Sequence, residues 1–261
     1  MRFDLAGKVC VITGAGRGIG RVMSADFAAD GAKVVGCSRR AEPLDSLARE
    51  IAASGGDFLP LAADLSRIEE CERLIAAATE RYGQVDVLVN NLGIGGAQKA
   101  IRDLQPAEWM EAINTNLSSV YGCIHYAVGG MMDRKSGAIV NISSIGPKIA
   151  SPYRVPYVTT KMGMIGITRV LAQELGPYNI RVNAVSPGFV DGERSDEVQE
   201  AMAKNRGITA AKMRDIMLQA TPLRRSVPPG DISQMVRFLA SDAGRSISGQ
   251  DIAVDAGLTF S

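Results

Sequence analysis

A single histidine, His125, stands in 261 residues, and that scarcity removes several chemistries at once. A Ser-His-Asp triad or a histidine-built zinc site would have one side chain to draw on. His125 falls between Ile124 and Tyr126 in a helical stretch, where a packed structural role outweighs chemistry. Cysteine is also sparse. Cys10, Cys37, Cys71 and Cys123 lack the paired spacing of a metal site, and two lie in apolar strand-like runs, so they read as buried, reduced thiols. No metal is expected. Neither sign of charge is in excess: 29 basic against 28 acidic side chains leave a net charge of +1. No global field therefore recruits nucleic acid or an anionic membrane, and any anion must be bound locally. No apolar run reaches the roughly 18 residues of a membrane span, and the N-terminal stretch lacks a charged-then-apolar signal layout. The expectation is a soluble cytoplasmic protein with no repeat, low-complexity tract or linker, forming one domain over residues 1–261.

What the chain does have is a regular alternation of short, β-branched apolar runs and helical patterns. Strands are expected at Lys8–Thr13, Lys33–Ser38, Phe58–Ala62, Val85–Asn90, Ala138–Ser143, Arg181–Ser186 and Asp251–Asp255. Between them the periodicity predicts helices through Ala29, over Leu44–Ser54 and Glu69–Tyr82, and from Pro106 to about Met132. Further helices carry Tyr157 and span Pro229–Ala240. This rhythm implies an α/β fold, a doubly wound Rossmann-type parallel seven-stranded sheet with helices on both faces. Phe189–Pro222 breaks the rhythm. Val198, Met202, Met213, Ile216 and Met217 suggest two short helices split by Gly207, so residues 189–222 read as a substrate lid with an apolar underside rather than as disorder.

The first strand runs directly into Thr13-Gly14-Ala15-Gly16-Arg17-Gly18-Ile19-Gly20 and then a helix. The spacing is TGxxxGxG, not GxGxxG, yet four glycines in seven residues let the backbone approach a pyrophosphate at a positive helix end. Gly14, Gly18, Ile19 and Gly20 are therefore candidate dinucleotide contacts, with Arg17 as a further one. At the end of the second strand, where NAD sites place a carboxylate against the ribose, this chain has Ser38-Arg39-Arg40. Guanidinium groups suit a phosphate, so NADP(H) is expected over NAD(H).

Tyr157 and Lys161 are four apart on a predicted helix and share a face. A phenol ionises near a pKa of about 10, and a neighbouring ammonium lowers that value, making the pair a candidate proton donor and acceptor for a carbonyl/alcohol couple. Ser144 lies thirteen positions upstream of Tyr157, with Ser143 as its rival.

In this order and spacing, and with the closing run Ser248-Gly249-Gln250-Asp251-Ile252-Ala253-Val254-Asp255-Ala256-Gly257, the chain resembles the short-chain dehydrogenase/reductase family over nearly its whole length. The resemblance implies a catalytic tetrad of Asn116, Ser144, Tyr157 and Lys161. In that scheme Ser144 bonds the substrate carbonyl oxygen, and Tyr157 delivers a proton as hydride arrives. Lys161 lowers the Tyr157 pKa and holds the nicotinamide ribose. Asn116 fixes a relay water, its side chain supplying the bonds that interrupt its helix. Also implied are adenine contacts at Asp64 and Leu65, cofactor contacts at Asn91 and Gly93, and a nicotinamide turn at Pro187 and Gly188. Three positions depart from the family pattern. Leu92 replaces an alanine beside the cofactor, where it shifts the cofactor or fills a void. Phe189-Val190 stands where a threonine often anchors the carboxamide, leaving a backbone group at Val190 for that task. Ala256 replaces a glycine at no obvious cost.

Gly95, Ser144, Tyr157 and Phe189, with Ile94, Ile145, Pro147 and Tyr153 nearby, outline a small or apolar pocket suited to a hydrophobic carbonyl compound. Lys148 and Arg154 read as solvated loop cations rather than an anion site. The core is similar to 3-oxoacyl-carrier-protein reductases and the lid to 3-hydroxybutyrate dehydrogenases. The expected activity is an NADP(H)-dependent carbonyl reductase, reversible as an alcohol dehydrogenase, with 3-oxoacyl-thioester reduction as the alternative. Four intact catalytic positions weigh against a cofactor-sensing binding protein without turnover. The partner is a small-molecule substrate, not nucleic acid or membrane, and the resemblance implies a homo-oligomer, tetramer or dimer.

Overall fold

The computed structural model describes residues 3–260. Its strands are β1 (Val9–Thr13), β2 (Lys33–Ser38), β3 (Asp57–Ala62), β4 (Val87–Asn90), β5 (Gly137–Ile142), β6 (Ile180–Pro187) and β7 (Asp251–Val254). They form one parallel sheet in the order β3-β2-β1-β4-β5-β6-β7. The helices are α1 (Gly18–Ala29), α2 (Ala41–Ala53), α3 (Ile68–Tyr82), α4 (Pro106–Ile113), α5 (Ser119–Arg134), α6 (Gly146–Ile149), α7 (Val155–Leu175), α8 (Glu193–Arg206), α9 (Ala210–Ala220) and α10 (Pro229–Ala240). The expected doubly wound Rossmann-type sheet is thus the one formed.

Burial on both faces explains why the strands read as unbroken apolar runs. Successive strand residues face opposite sides. Cys10 and Ile12 join Met23 and Phe27 of α1 and Val236 and Leu239 of α10 in one core. Val11 points the other way, into a core with Leu74 of α3, Cys123 of α5 and Met164 of α7. Burial pushes the Cys37 thiol up to about 12 and raises Cys10 further, so neither is a nucleophile at neutral pH. The sheet order reverses between β1 and β4, and such a reversal opens a crevice beyond the carboxyl ends of the strands.

Two helix expectations are corrected. The helix expected at Leu44–Ser54 begins earlier, at Ala41, because Pro43 is tolerated in a first turn. The long helix expected from Pro106 to Met132 is divided into α4 and α5 by a π-helical turn over Asn114–Ser118. The lid segment holds α8 and α9 around Gly207, whose φ of +64° ends α8 in the left-handed region. Thr209 caps α9, its hydroxyl accepting from the Lys212 amide. Ala203, Met213 and Met217 close on one another in a third, smaller cluster. Among the described residues no helix is long and apolar enough to cross a membrane.

Candidate active site

The glycine turn leaves β1 braced by the end of β4. The Thr13 hydroxyl accepts from the amides of Asn91 and Leu92 at 3.0 Å each. The Asn91 side-chain amide donates to the carbonyls of Thr13 at 2.9 Å and Gly14 at 3.3 Å. Gly20 packs so closely that a Cβ there would lie 2.1 Å from the Gly14 oxygen. Gly18, at φ +54°, is the opposite case: a Cβ would meet nothing within 4 Å. One side of the turn is therefore sealed and the other faces open space at the start of α1. That is the cradle a diphosphate fits.

Beyond β4 and β5 the expected quartet converges. Tyr157 and Lys161 are 8% and 3% exposed, and Asn116 is fully buried. The Lys161 ammonium lies 5.9 Å from the Tyr157 ring centroid and donates to the Ile142 carbonyl at 2.6 Å. A cation this close favours the ionised phenol. Ser144 and Tyr157 flank Gly146, where a Cβ would stand 3.4 Å from both Ser144 Oγ and Tyr157 Cε1. Its rival Ser143 is buried and donates to the Lys161 carbonyl, a structural task. Asn116 Oδ1 accepts from the Ile94 amide at 2.7 Å, and its Nδ2 donates to the Ile94 carbonyl and to Thr160 Oγ1. Its side chain thus reaches across to the Ile94 loop and α7 from the π turn that interrupts its helix. Gly93 separates two of these groups, a Cβ there lying 3.3 Å from both Asn116 Oδ1 and Lys161 Nζ. Hydroxyl, phenol and buried ammonium therefore share one patch beside the cradle, the arrangement a proton transfer to a carbonyl oxygen needs.

Residues 14–259 match the profile of the enoyl-(acyl carrier protein) reductase family. The 3-oxoacyl-(acyl-carrier-protein) reductase FabG of Thermotoga maritima is 35% identical over 256 residues, spanning 98% of this chain and 99% of the relative. An actinorhodin polyketide ketoreductase variant solved with NADPH superposes with a TM-score of 0.92 at 33% identity, covering 99% of each chain. A xylitol dehydrogenase solved with NAD+ superposes at 0.93 with 26% identity, covering 97% of this chain and 100% of that one. The chain belongs to the short-chain dehydrogenase/reductase family. It is an oxidoreductase that transfers hydride between a nicotinamide cofactor and a carbonyl/alcohol couple.

In this short-chain dehydrogenase/reductase several of the expected residues have partners within the chain. Arg17 pairs with Glu193 at 3.1 Å and Glu197 at 3.7 Å on α8, linking glycine turn to lid. The Asp64 carboxylate accepts from the amide and hydroxyl of Ser66. Leu65 is buried in the second core, so only its backbone is free to meet an adenine. Phe189 packs against the lid cluster. Lys148 is not solvated but paired with Asp251 at 3.3 Å. Arg154 lies over the Tyr157 ring, its guanidinium carbon 4.1 Å from the centroid.

Ser38 Oγ lies 2.9 Å from where a Gly16 Cβ would be, and Arg39 and Arg40 are exposed beside it. Gly188 tolerates no side chain, because a Cβ would meet Asp255 Cα at 2.6 Å, and this keeps the Pro187-Gly188 turn tight against the end of β7. Val190 bridges Val227 through its neighbours' backbone groups, which turns its own amide to the opposite strand edge. Gly95 is unobstructed. Leu92 packs against the second core, so its bulk fills space there. Ala256 sits at φ +56°, a conformation that strains an alanine, so the lost glycine does have a cost. The braces from Thr13 and Asp251 were not singled out in the sequence; only the threonine opening the glycine motif signalled either of them.

Proposed function

We propose that the chain is an NADP(H)-dependent carbonyl reductase, reversible as an alcohol dehydrogenase, acting on a small, largely apolar ketone or secondary alcohol. The observation that carries this is the convergence of Ser144, Tyr157 and Lys161 beside a glycine cradle that stays open at Gly18. Bound nicotinamide supplies or accepts the hydride. Ser144 Oγ donates to the carbonyl oxygen, and Tyr157 gives its phenolic proton to that oxygen as charge develops there. Lys161, a buried cation, favours the phenolate left behind. Asn116 holds the Ile94 loop against α7 and so keeps the pocket wall registered to Tyr157. Asp64, Leu65, Asn91, Gly93, Pro187, Gly188 and Val190 border the cofactor in this reading, and Gly95 borders the substrate.

Arg39 and Arg40 favour the 2′-phosphate, since no carboxylate stands at the end of β2. Initial rates with a panel of ketones, alcohols and acetoacetyl thioester test the reading. NADPH is expected to exceed NADH in kcat/KM by about tenfold or more. Equal turnover with NADH overturns the cofactor choice, and no turnover with any compound overturns the activity. A second reading, 3-oxoacyl-thioester reduction, is favoured by the similarity to the Thermotoga maritima reductase. It predicts that acetoacetyl thioester outperforms free ketones. The exposed apolar side chains of Met110, Tyr121, Met162 and Val170 support homo-oligomerisation, which sedimentation reads directly. Four buried free thiols fit a reducing cytoplasm.

A further inference from the structure

We infer that Arg154 is a positioning residue for the proton-donating tyrosine: a second cation, laid on the Tyr157 ring, that holds the phenol in place and favours its ionised form. The inference rests on the carbonyl-reductase reading above. Arg154 caps the start of α7, three residues before Tyr157, with a proline in the first turn between them. Residues three apart meet on one helix face. The guanidinium carbon stands 4.1 Å from the ring centroid, closer than the Lys161 ammonium at 5.9 Å. A ring face is electron-rich and attracts a cation, and it does so more strongly once the phenol has lost its proton. A planar guanidinium also covers the ring, which a lysine does not.

The other charges on elements packed against α7 are accounted for. Lys148 of α6 is paired with Asp251 of β7. Glu108 of α4 is held by Lys99, and Glu111 is the other acid on that helix. Arg181 of β6 bonds the carbonyls of residues 239–241 and 244. On α7 itself, Arg169 and Glu174 lie two or more turns beyond Lys161. Among the described residues, Arg154 and Lys161 are thus the two cations placed against the ring.

The test is the pH profile of alcohol oxidation, in which the phenolate is the base and activity rises as Tyr157 loses its proton. Removing a cation raises the phenol's pKa, so the rising limb moves to higher pH. In Arg154→Met the limb is expected to shift upward by about one pH unit, with cofactor affinity unchanged, and Arg154→Lys is expected to recover part of the shift. Arg154→Gln repeats the measurement if the Met variant does not fold. A limb that stays in place while rates fall at every pH marks a merely structural residue and overturns the inference. Wild-type protein without turnover defeats the activity reading instead, so the two failures are distinct.

Discussion

Replacing Lys148 by Met removes one partner of an ion pair that ties the segment after Ser144 to the last strand. Lys148 Nζ lies 3.3 Å from Asp251 Oδ2, with the two side chains 15% and 7% exposed. Asp251 Oδ1 also accepts from Ser186 Oγ at 2.5 Å, next to the Pro187-Gly188 turn. Coulomb attraction at this separation is about 5 kcal/mol in an effective dielectric of about 20, before desolvation is subtracted. Both charges have lost most of their water, so the net coupling is smaller, about 1–2 kcal/mol. Lys148→Met leaves the carboxylate buried without its cation and is expected to cost about 2 kcal/mol. Asp251→Asn keeps an acceptor for Ser186 and is expected to cost less. Because Lys148 lies four residues after Ser144, the loosened segment is expected to raise KM about fivefold while kcat changes little. Urea denaturation of both single variants and the double variant, with initial rates on each, completes the cycle. Single costs that simply add in the double variant, or an unchanged KM, refute the tether.

Three further outcomes follow from the structure. Gly20→Ala forces a Cβ to 2.1 Å from the Gly14 oxygen, so fluorescence titration with NADPH should show cofactor affinity falling by about a hundredfold or more. Ala256→Gly releases a left-handed alanine at φ +56° and should stabilise the fold by about 0.5–1 kcal/mol in urea, after glycine's greater unfolded-state entropy is set against the gain. The Lys99 ammonium, and then the Gln105 amide, hold the Glu108 carboxyl below its ordinary value of 4.5. A lowered folded pKa gives stability that is present above the unfolded value and lost as pH falls through the folded one. Glu108→Gln should therefore be less stable than wild type near neutral pH and converge with it in acid.

The sheet was legible because parallel strands buried on both faces appear as short apolar runs, and the glycine turn because its backbone geometry admits little else. Tyr157 and Lys161 were legible because helix pitch fixes their mutual placement locally, whereas Ser144 was implied by the family resemblance. The apolar pattern runs straight through the π turn at Asn114–Ser118, so only the resemblance implied an interruption at Asn116, whose bonds reach Ile94 and Thr160, distant in sequence. The ion pairs of the cations were hidden for the same reason. Arg17 meets Glu193, 176 positions away, and Lys148 meets Asp251, so no local pattern separates a paired side chain from a solvated one. The packing of Phe189 against the lid helices was hidden likewise, because those helices come later in the chain.

Tyrosine 157 as the group that trades the proton is tested most directly by Tyr157→Phe, with NADPH affinity and turnover measured on the same sample. The account predicts cofactor binding close to wild type and turnover reduced by about a thousandfold. Turnover within about tenfold of wild type, with binding intact, would contradict it.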